Sequence, residues 1–347
     1  MCKEKNIFDW CVVGDGAASL TAISKLLDRG VEKKDILWIA ASFNLGDLGK
    51  YWRDVPANTK VSVFQDYLKS TEYFGYDSLP ESLTIKSMKG DSFCKLSDIV
   101  EPLMKISEKI KGDVSSVEGL VYEVNEVDGL KEIKYTQGDK CCTLSAKKVI
   151  LGIGSVPVAQ SEFKNMLELR DVLSVDSLRS LELSGAIVGI FGGSHSAVLA
   201  IMNVLKHRAN VINIYKHPLR YAISQEDGII YDNTGLKGEV ADWSKKNMHG
   251  QNLSCMRVHY QDINLSDYLK KCHYIVNAIG FKRRSLPING MELDHCPYSG
   301  IISYGIYGCG IAYPEKVIGL AGNIEWSVGL NKFSVYMDRV LPIWMGS

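Results

Sequence analysis

Apolar and polar positions along this chain repeat with two different periods, and the switches between them outline a fold. Phe8–Val13 is a short apolar run. Leu20, Ile23, Leu26 and Leu27 follow at helical spacing within Ala17–Leu27, closed by Arg29-Gly30, and Ile36–Ala41 is a second apolar run. Strand, glycine-rich turn, helix and strand in that order predict a βαβ unit. The same succession returns later, with strand Ala186–Phe191, helix Ser196–Lys206 and strand Asn210–Tyr215. Between the two units, Ile99, Leu103, Ile106 and Ile110 place a helix over Ser97–Ile110, with Ser97 and Asp98 as capping candidates. From Gly119 to Leu151 the period drops to two. Leu120–Val127, Glu132–Tyr135, Cys142–Leu144 and Lys148–Leu151 then read as a small antiparallel meander, turning at Asp128-Gly129 and Gln137-Gly138-Asp139. Tyr274–Ala278 predicts a strand ending at Gly280. The last pattern is a strand at Val317–Leu320, the pair Gly322-Asn323 and a final amphipathic helix.

Residues 44–95 fit neither period. They are rich in aromatics, Gly and Pro and too long for a simple connection, and such loops in compact domains are more often functional than idle.

Composition removes several classes of partner. Forty basic residues balance forty acidic ones, so no global field points to nucleic acid or an anionic membrane. The apolar runs are strand-sized, well short of the roughly 18–20 residues that a membrane span needs. Met1–Asn6 leads directly into the first strand with no secretory pattern. Nine scattered cysteines, an odd number, fit free thiols in a reducing compartment, and a cytoplasmic location is the expectation. No pattern suggests a metal site.

Chemistry concentrates in the two glycine turns. In Gly14-x-Gly16-Ala17-x-Ser19 the first Gly permits the tight turn, the second lets backbone approach a pyrophosphate, and the third position must be small for helix-to-strand packing. The acid that usually ends the second strand and binds ribose hydroxyls is missing. The chain there reads Ile39-Ala40-Ala41-Ser42, so Ser42 supplies a weaker hydrogen bond or Asp47 reaches back from the loop. The second turn, Gly192-Gly193-Ser194-His195-Ser196-Ala197, has Gly, Ser and Ala at the three fingerprint positions, and a ring N–H of His195 can donate to a phosphate oxygen. Its second strand ends in Tyr215-Lys216-His217-Pro218-Leu219-Arg220. Lys216 and Arg220 suit an extra 2′-phosphate, which favours NADPH over NADH.

The nested glycine turns, the meander, Val149-Ile150-Leu151-Gly152-Ile153-Gly154-Ser155-x-Pro157 and Ile275-Val276-Asn277-Ala278-Ile279-Gly280-Phe281 together resemble the two-dinucleotide-binding flavoproteins. The resemblance covers nearly the whole chain. It implies an α/β fold of two Rossmann-like domains with a small antiparallel meander: an FAD domain of residues 1–157 and 285–347, and an inserted NADPH domain of residues 158–284. Gly152 and Gly154 would then lie at the crossing between domains, and Gly322-Asn323 at the flavin, where the family has "GD". Within the family, Gly46-Asp47-Leu48-Gly49-Lys50-Tyr51-Trp52 is similar to the "GG-x-W" stretch of flavin-containing monooxygenases, which adds Trp52 to the cofactor site. Asn58-Thr59-Lys60-x-x-x-Phe64-x-Asp66-Tyr67 resembles their "TN-x-x-K … F-x-D-F" stretch. In those enzymes the Asn lies beside the flavin and helps hold the oxygenated intermediate, so Asn58 is the candidate catalytic residue.

The resemblance also has gaps. Glu168–Leu181 lacks the His of the monooxygenase "F-x-G-x-x-x-H" signature, and an amide stands where the family has the Asp of "GD". The expected protein is an FAD- and NADPH-dependent oxidoreductase, closest to the flavin-containing and N-hydroxylating monooxygenases, oxygenating a small N-, S- or carbonyl-containing substrate. One alternative is a disulfide reductase, for which the usual C-x-x-C is absent; only Cys141-Cys142 is vicinal. The other is a regulatory protein that keeps the fold without turnover.

Overall fold

The computed structural model describes residues 7–158, 163–248 and 254–346. The first unit runs β1 (Ile7–Val13), α1 (Ala17–Asp28) and β2 (Ile36–Ala40), as the apolar pattern predicts. The irregular stretch then carries α2 (Gly46–Tyr51), α3 (Val61–Lys69) and a single helical turn at Thr84–Ser87 before α4 (Ser97–Asp113) and β3 (Ser115–Glu118). The meander is β4 (Leu120–Val127), β5 (Leu130–Gln137) and β6 (Lys140–Leu151).

One departure from the pattern lies here. The two short strands expected at Cys142–Leu144 and Lys148–Leu151 are a single strand, because β6 changes partners along its length and ends between two parallel neighbours, β1 and the later strand Ile306–Gly308. Lys140–Ala146 pairs antiparallel with β5, and from Ser145 onward the strand pairs parallel with β1. Small, fully buried Ser145 and Ala146 sit where the partners change over.

After β6, a short strand β7 (Ser155–Pro157) leads to the second unit: β8 (Met166–Leu167), β9 (Ile187–Phe191), α5 (His195–Lys206) and β10 (Asn210–Tyr215). A small hairpin, β11 (Ile223–Gln225) and β12 (Gly228–Ile230), precedes α6 (Gly238–Asn247), β13 (Cys255–His259) and β14 (Tyr274–Asn277). Strand β15 (Phe281–Arg283) returns antiparallel to β7, so the two crossings between units form one ribbon. The chain ends with β16 (Ile301–Ser303), β17 (Ile306–Gly308), the hairpin β18 (Glu315–Ile318) and β19 (Ile324–Ser327), and α7 (Leu330–Gly346).

The first sheet has the order β16-β17-β6-β1-β2-β3, with β5 and β4 joined through β6; the second is β13-β10-β9-β14-β8 and wholly parallel. Each sheet buries its own apolar core. Helix α1 is buried along nearly its whole length between β1, α4 and α7. Its Lys25, 2% exposed, is satisfied by Asp338 at 2.7 Å and the Ser70 carbonyl at 3.1 Å. On α7, Tyr336 and Trp344 are core residues, Phe333 is half-buried, and Trp326 on β19 is exposed. Among the described residues no helix is long and apolar enough to cross a membrane.

The C-terminal segment ties down the second unit through one buried carboxylate. Glu325, 2% exposed, accepts hydrogen bonds from the Asn233 backbone N–H (3.0 Å), Asn233 Nδ2 (3.0 Å), Thr234 Oγ1 (2.9 Å) and Asn323 Nδ2 (3.1 Å). Burial alone would push this carboxyl up, but the donors hold it below the usual range. Beside it, Lys332 of α7 reaches Asn233 Oδ1 at 2.5 Å and pairs with Asp232. Glu325→Gln turns an amide N–H toward these donors. It should cost about 2–4 kcal/mol, read as a lower thermal midpoint; an unchanged midpoint would show that the hub contributes nothing to stability.

Candidate functional site

The first glycine turn is a close three-way approach of backbone. Gly14 has φ +103°, and a Cβ placed there would lie 2.4 Å from the Gly152 carbonyl oxygen. Gly152 in turn leaves room for Ser19, whose Oγ would be 2.2 Å from a Cβ on Gly152. Trp38 Nε1 donates to the Gly14 carbonyl at 2.7 Å, and the Gly14 N–H donates to Ile39. The strand-to-helix turn is therefore fixed on three sides. Gly16 is different, since a Cβ there meets nothing within 4 Å. Open space thus lies at the N-terminus of the 12-residue helix α1, which no side chain caps. Uncapped N–H groups, a helix dipole and a glycine opening fit a pyrophosphate.

Of the two candidates for the place of the missing acid, Ser42 lies against Asp15. Ser42 Oγ donates to Asp15 Oδ2 at 3.3 Å, and the Asn44 N–H donates to the same oxygen at 2.9 Å. Asp15 is 8% exposed; burial raises its carboxyl, while N–H groups of Gly46 and Asn44 and the Ser42 hydroxyl oppose that rise. Asp47, the other candidate, does not reach back. Its two oxygens accept from Arg284 Nη2 at 3.0 and 2.9 Å. Arg284 also donates to the Ile153 carbonyl at 3.4 Å and packs on Gly154, where a Cβ would meet its Nη1 at 2.7 Å. Neither Asp15 nor Arg284 stood out in sequence; the only signal for Asp15 was a charge between the two glycines of the first turn, and Arg284 had none.

The second turn repeats the first. Gly192 has φ +128°, and a Cβ there would lie 2.2 Å from the Ala278 carbonyl oxygen and 3.0 Å from Ala197 Cβ. Gly192 and Ala197 have the same spacing as Gly14 and Ser19, and Ala278 plays the part of Gly152. Gly193 lies against the end of β10, 3.4 Å from the His217 carbonyl oxygen by the same measure, so the fold brings the basic turn to the loop. Lys216 and Arg220 are both exposed. Lys216 lies 5.9 Å from the Tyr260 ring centre and Arg220 4.6 Å from that of Tyr231. Ser194 stands at the N-cap of α5, whose first residues are His195 and Ser196, and makes no side-chain cap bond. His195 Nδ1 is buried without a hydrogen-bond partner among the described residues. Burial, reinforced by the charge of Lys237, pushes the imidazole down to about 4. The ring is therefore neutral at pH 7, with one N–H to donate.

The remaining candidates are placed less evenly. Trp52 is half-buried and meets Phe281 edge-on at 6.3 Å, tying the irregular stretch to the ribbon. Asn58 is exposed; its Oδ1 accepts from Thr59 Oγ1 at 3.3 Å. A cleft of about 420 Å³ opens between the units, lined by Asp47, Trp52, Pro157, Leu167, Arg170 and Arg284 among others. A more open hollow by Met202, Arg208 and Trp243 lies at the far end of the second sheet, away from both turns.

Gly322-Asn323 requires a correction. The pair sits in the turn between β18 and β19, and Asn323 serves Glu325; it does not join a strand to the last helix. The strand parallel to β6 is instead β17, followed by Cys309-Gly310. The Cys309 N–H donates to Leu151, and a Cβ on Gly310 would lie 2.7 Å from Ala18 Cβ at the start of α1. The register of the last strand in the first sheet decides this, and β17 is too short at three residues to show a period.

Two sheets, one mixed and one wholly parallel, each with a glycine turn feeding a helix and each closed by a crossing strand that packs on that turn, define the two-dinucleotide-binding flavoprotein class. The comparisons agree. The monooxygenase AgnR1 of Paecilomyces divaricatus is 31% identical over 384 aligned positions, covering 97% of each chain. The chain belongs to this flavoprotein family, on the monooxygenase side, and is an oxidoreductase. No family model matches it. Among solved structures, the FAD-bound cadaverine monooxygenase DfoA of Erwinia amylovora superposes with a TM-score of 0.70 at 11% identity, covering 99% of this chain and 95% of that one. The bacillithiol disulfide reductase of Bacillus cereus gives 0.66 at 11% identity, covering 98% and 99%. At such identities the structural likeness concerns the fold alone.

The His195 environment makes stability depend on pH. Its folded value of about 4 lies below the ordinary 6.5, so the neutral ring is favoured. The contribution is fully present above about pH 6.5 and is lost as pH falls toward 4. Relative to a His195→Asn variant, the wild type should lose roughly 3 kcal/mol over that window, measured by denaturant unfolding. Parallel pH curves for the two proteins would refute the assignment.

Proposed function

We propose that the protein is a monooxygenase that takes hydride from NADPH at the second turn and holds FAD at the first, acting on a small molecule with a nucleophilic N or S or a carbonyl. The observation that carries this reading is the duplicated backbone approach, Gly14 on Gly152 and Gly192 on Ala278, with a basic rather than acidic strand end beside the second. FAD, when bound, supplies hydride acceptance and oxygen activation. The chain's residues bind and orient. Gly16 and the α1 N-terminus receive a pyrophosphate, while Ser194, neutral His195 and the start of α5 receive a second one. Lys216 and Arg220 neutralise a 2′-phosphate. The relative AgnR1 is a monooxygenase, which supports oxygenation over disulfide reduction. So does the state of the thiols. Burial pushes Cys94, the one beside the Ala57 N–H, up to about 11, away from the thiolate that disulfide exchange needs; the exposed Cys296, held down by Ser299 and the Tyr298 N–H, has no second thiol adjacent in sequence. The cleft of about 420 Å³ by Trp52 and Arg170 is the space we assign to substrate.

The test is NADPH oxidation coupled to oxygen uptake by the yellow protein. A colourless protein that FAD cannot restore sinks the reading, and rapid turnover that requires an added disulfide replaces it with a reductase. Lys216→Ala with Arg220→Ala should raise the KM for NADPH at least tenfold and leave that for NADH within about twofold. Equal effects on both would remove the 2′-phosphate assignment. Asn58→Ala should keep NADPH oxidation and divert most of the oxygen consumed to hydrogen peroxide, scored by peroxide assay; unchanged coupling would clear Asn58 of a catalytic role.

A further inference from the structure

We infer that Ser42 and Asp15 together replace the carboxylate missing from the end of β2: Ser42 accepts a hydroxyl of the adenosine ribose while its own proton is held by Asp15. The inference rests on FAD occupying the first turn. A lone serine is a weak ribose ligand because its proton competes for the same partners. Here that proton has a partner. Ser42 Oγ donates to Asp15 Oδ2 across a long 3.3 Å contact, which leaves the serine oxygen free to accept. The carboxylate itself is held fast. Asn44 donates its backbone N–H at 2.9 Å, and a Cβ on Gly46 would lie 3.4 Å from Asp15 Oδ1 and 3.8 Å from Gly16. Asp15 is thus enclosed at 8% exposure between the glycine turn and the 42–46 turn, while Ser42 stays half-buried at the rim. Asp15 lies between the two glycines of the fingerprint. The negative charge expected at the strand end has moved across the loop and acts through a hydroxyl, which makes Asp15 a positioning residue.

The experiment compares FAD with an analogue lacking the 2′- and 3′-hydroxyls of the adenosine ribose, each titrated into apoprotein by quenching of flavin fluorescence. Wild type should prefer FAD about tenfold or more. Ser42→Ala should bind both flavins alike, at the analogue's affinity. Ser42→Thr should restore the preference. Asp15→Asn should lower the preference for FAD more than the affinity for the analogue, whereas a role in loop shape alone would weaken both flavins equally. If Asp15→Asn does not fold, the serine variants still decide. No preference in the wild type, or a preference that survives Ser42→Ala, overturns the inference and leaves the FAD reading standing. Failure to bind either flavin overturns both.

Discussion

The contact on which the molecule depends is a glycine Cα set directly against a carbonyl oxygen of the crossing strand, made twice. A side chain on Gly14 would strike the Gly152 carbonyl, and one on Gly192 the Ala278 carbonyl, at 2.4 and 2.2 Å. Only a residue without Cβ, at φ +103° or +128°, permits the approach. Everything functional is hung from it. The approach sets where each strand stops and which way each helix N-terminus points. It also brings the crossing strand β6 or β14 up to the turn, so that one polypeptide passes from the first unit to the second beside both loops. The small residue five positions on, Ser19 or Ala197, then lets the helix lie down on the sheet.

Two electrostatic ties keep the units in register. Arg284 joins the return ribbon to Asp47 on α2, at the wall of the interdomain cleft. Glu325 joins the C-terminal hairpin to Asn233 and Thr234 in the second unit. Both are carboxylates with both oxygens hydrogen-bonded, the condition under which a partly or wholly buried charge can hold a structure together. Neither has a local sequence signal, since the partners lie 91 or more positions away.

The repeated strand, glycine and helix pattern made both units legible, because burial on one helix face and on both sheet faces imposes a period that survives in sequence. The basic end of β10 was legible for the same reason: its position follows from counting along the unit. Short elements were not. β17 is three residues long, and its place next to β6 sets Cys309-Gly310, and not Gly322-Asn323, against the start of α1. The continuity of β6 was also hidden, because an antiparallel and a parallel partner share one strand at Ser145 and Ala146.

By itself the sequence determined the fold class, the two glycine turns and the sign of the charge beside the second, all of which depend on residues near one another in the chain. Only the tertiary structure decided that Ser42 leans on Asp15, that Asp47 is taken by Arg284 and that the half-buried His195 is neutral with its Nδ1 out of water. Each depends on which distant segment supplies the partner or excludes the water. A hydrogen bond or a desolvated ring has no period to read.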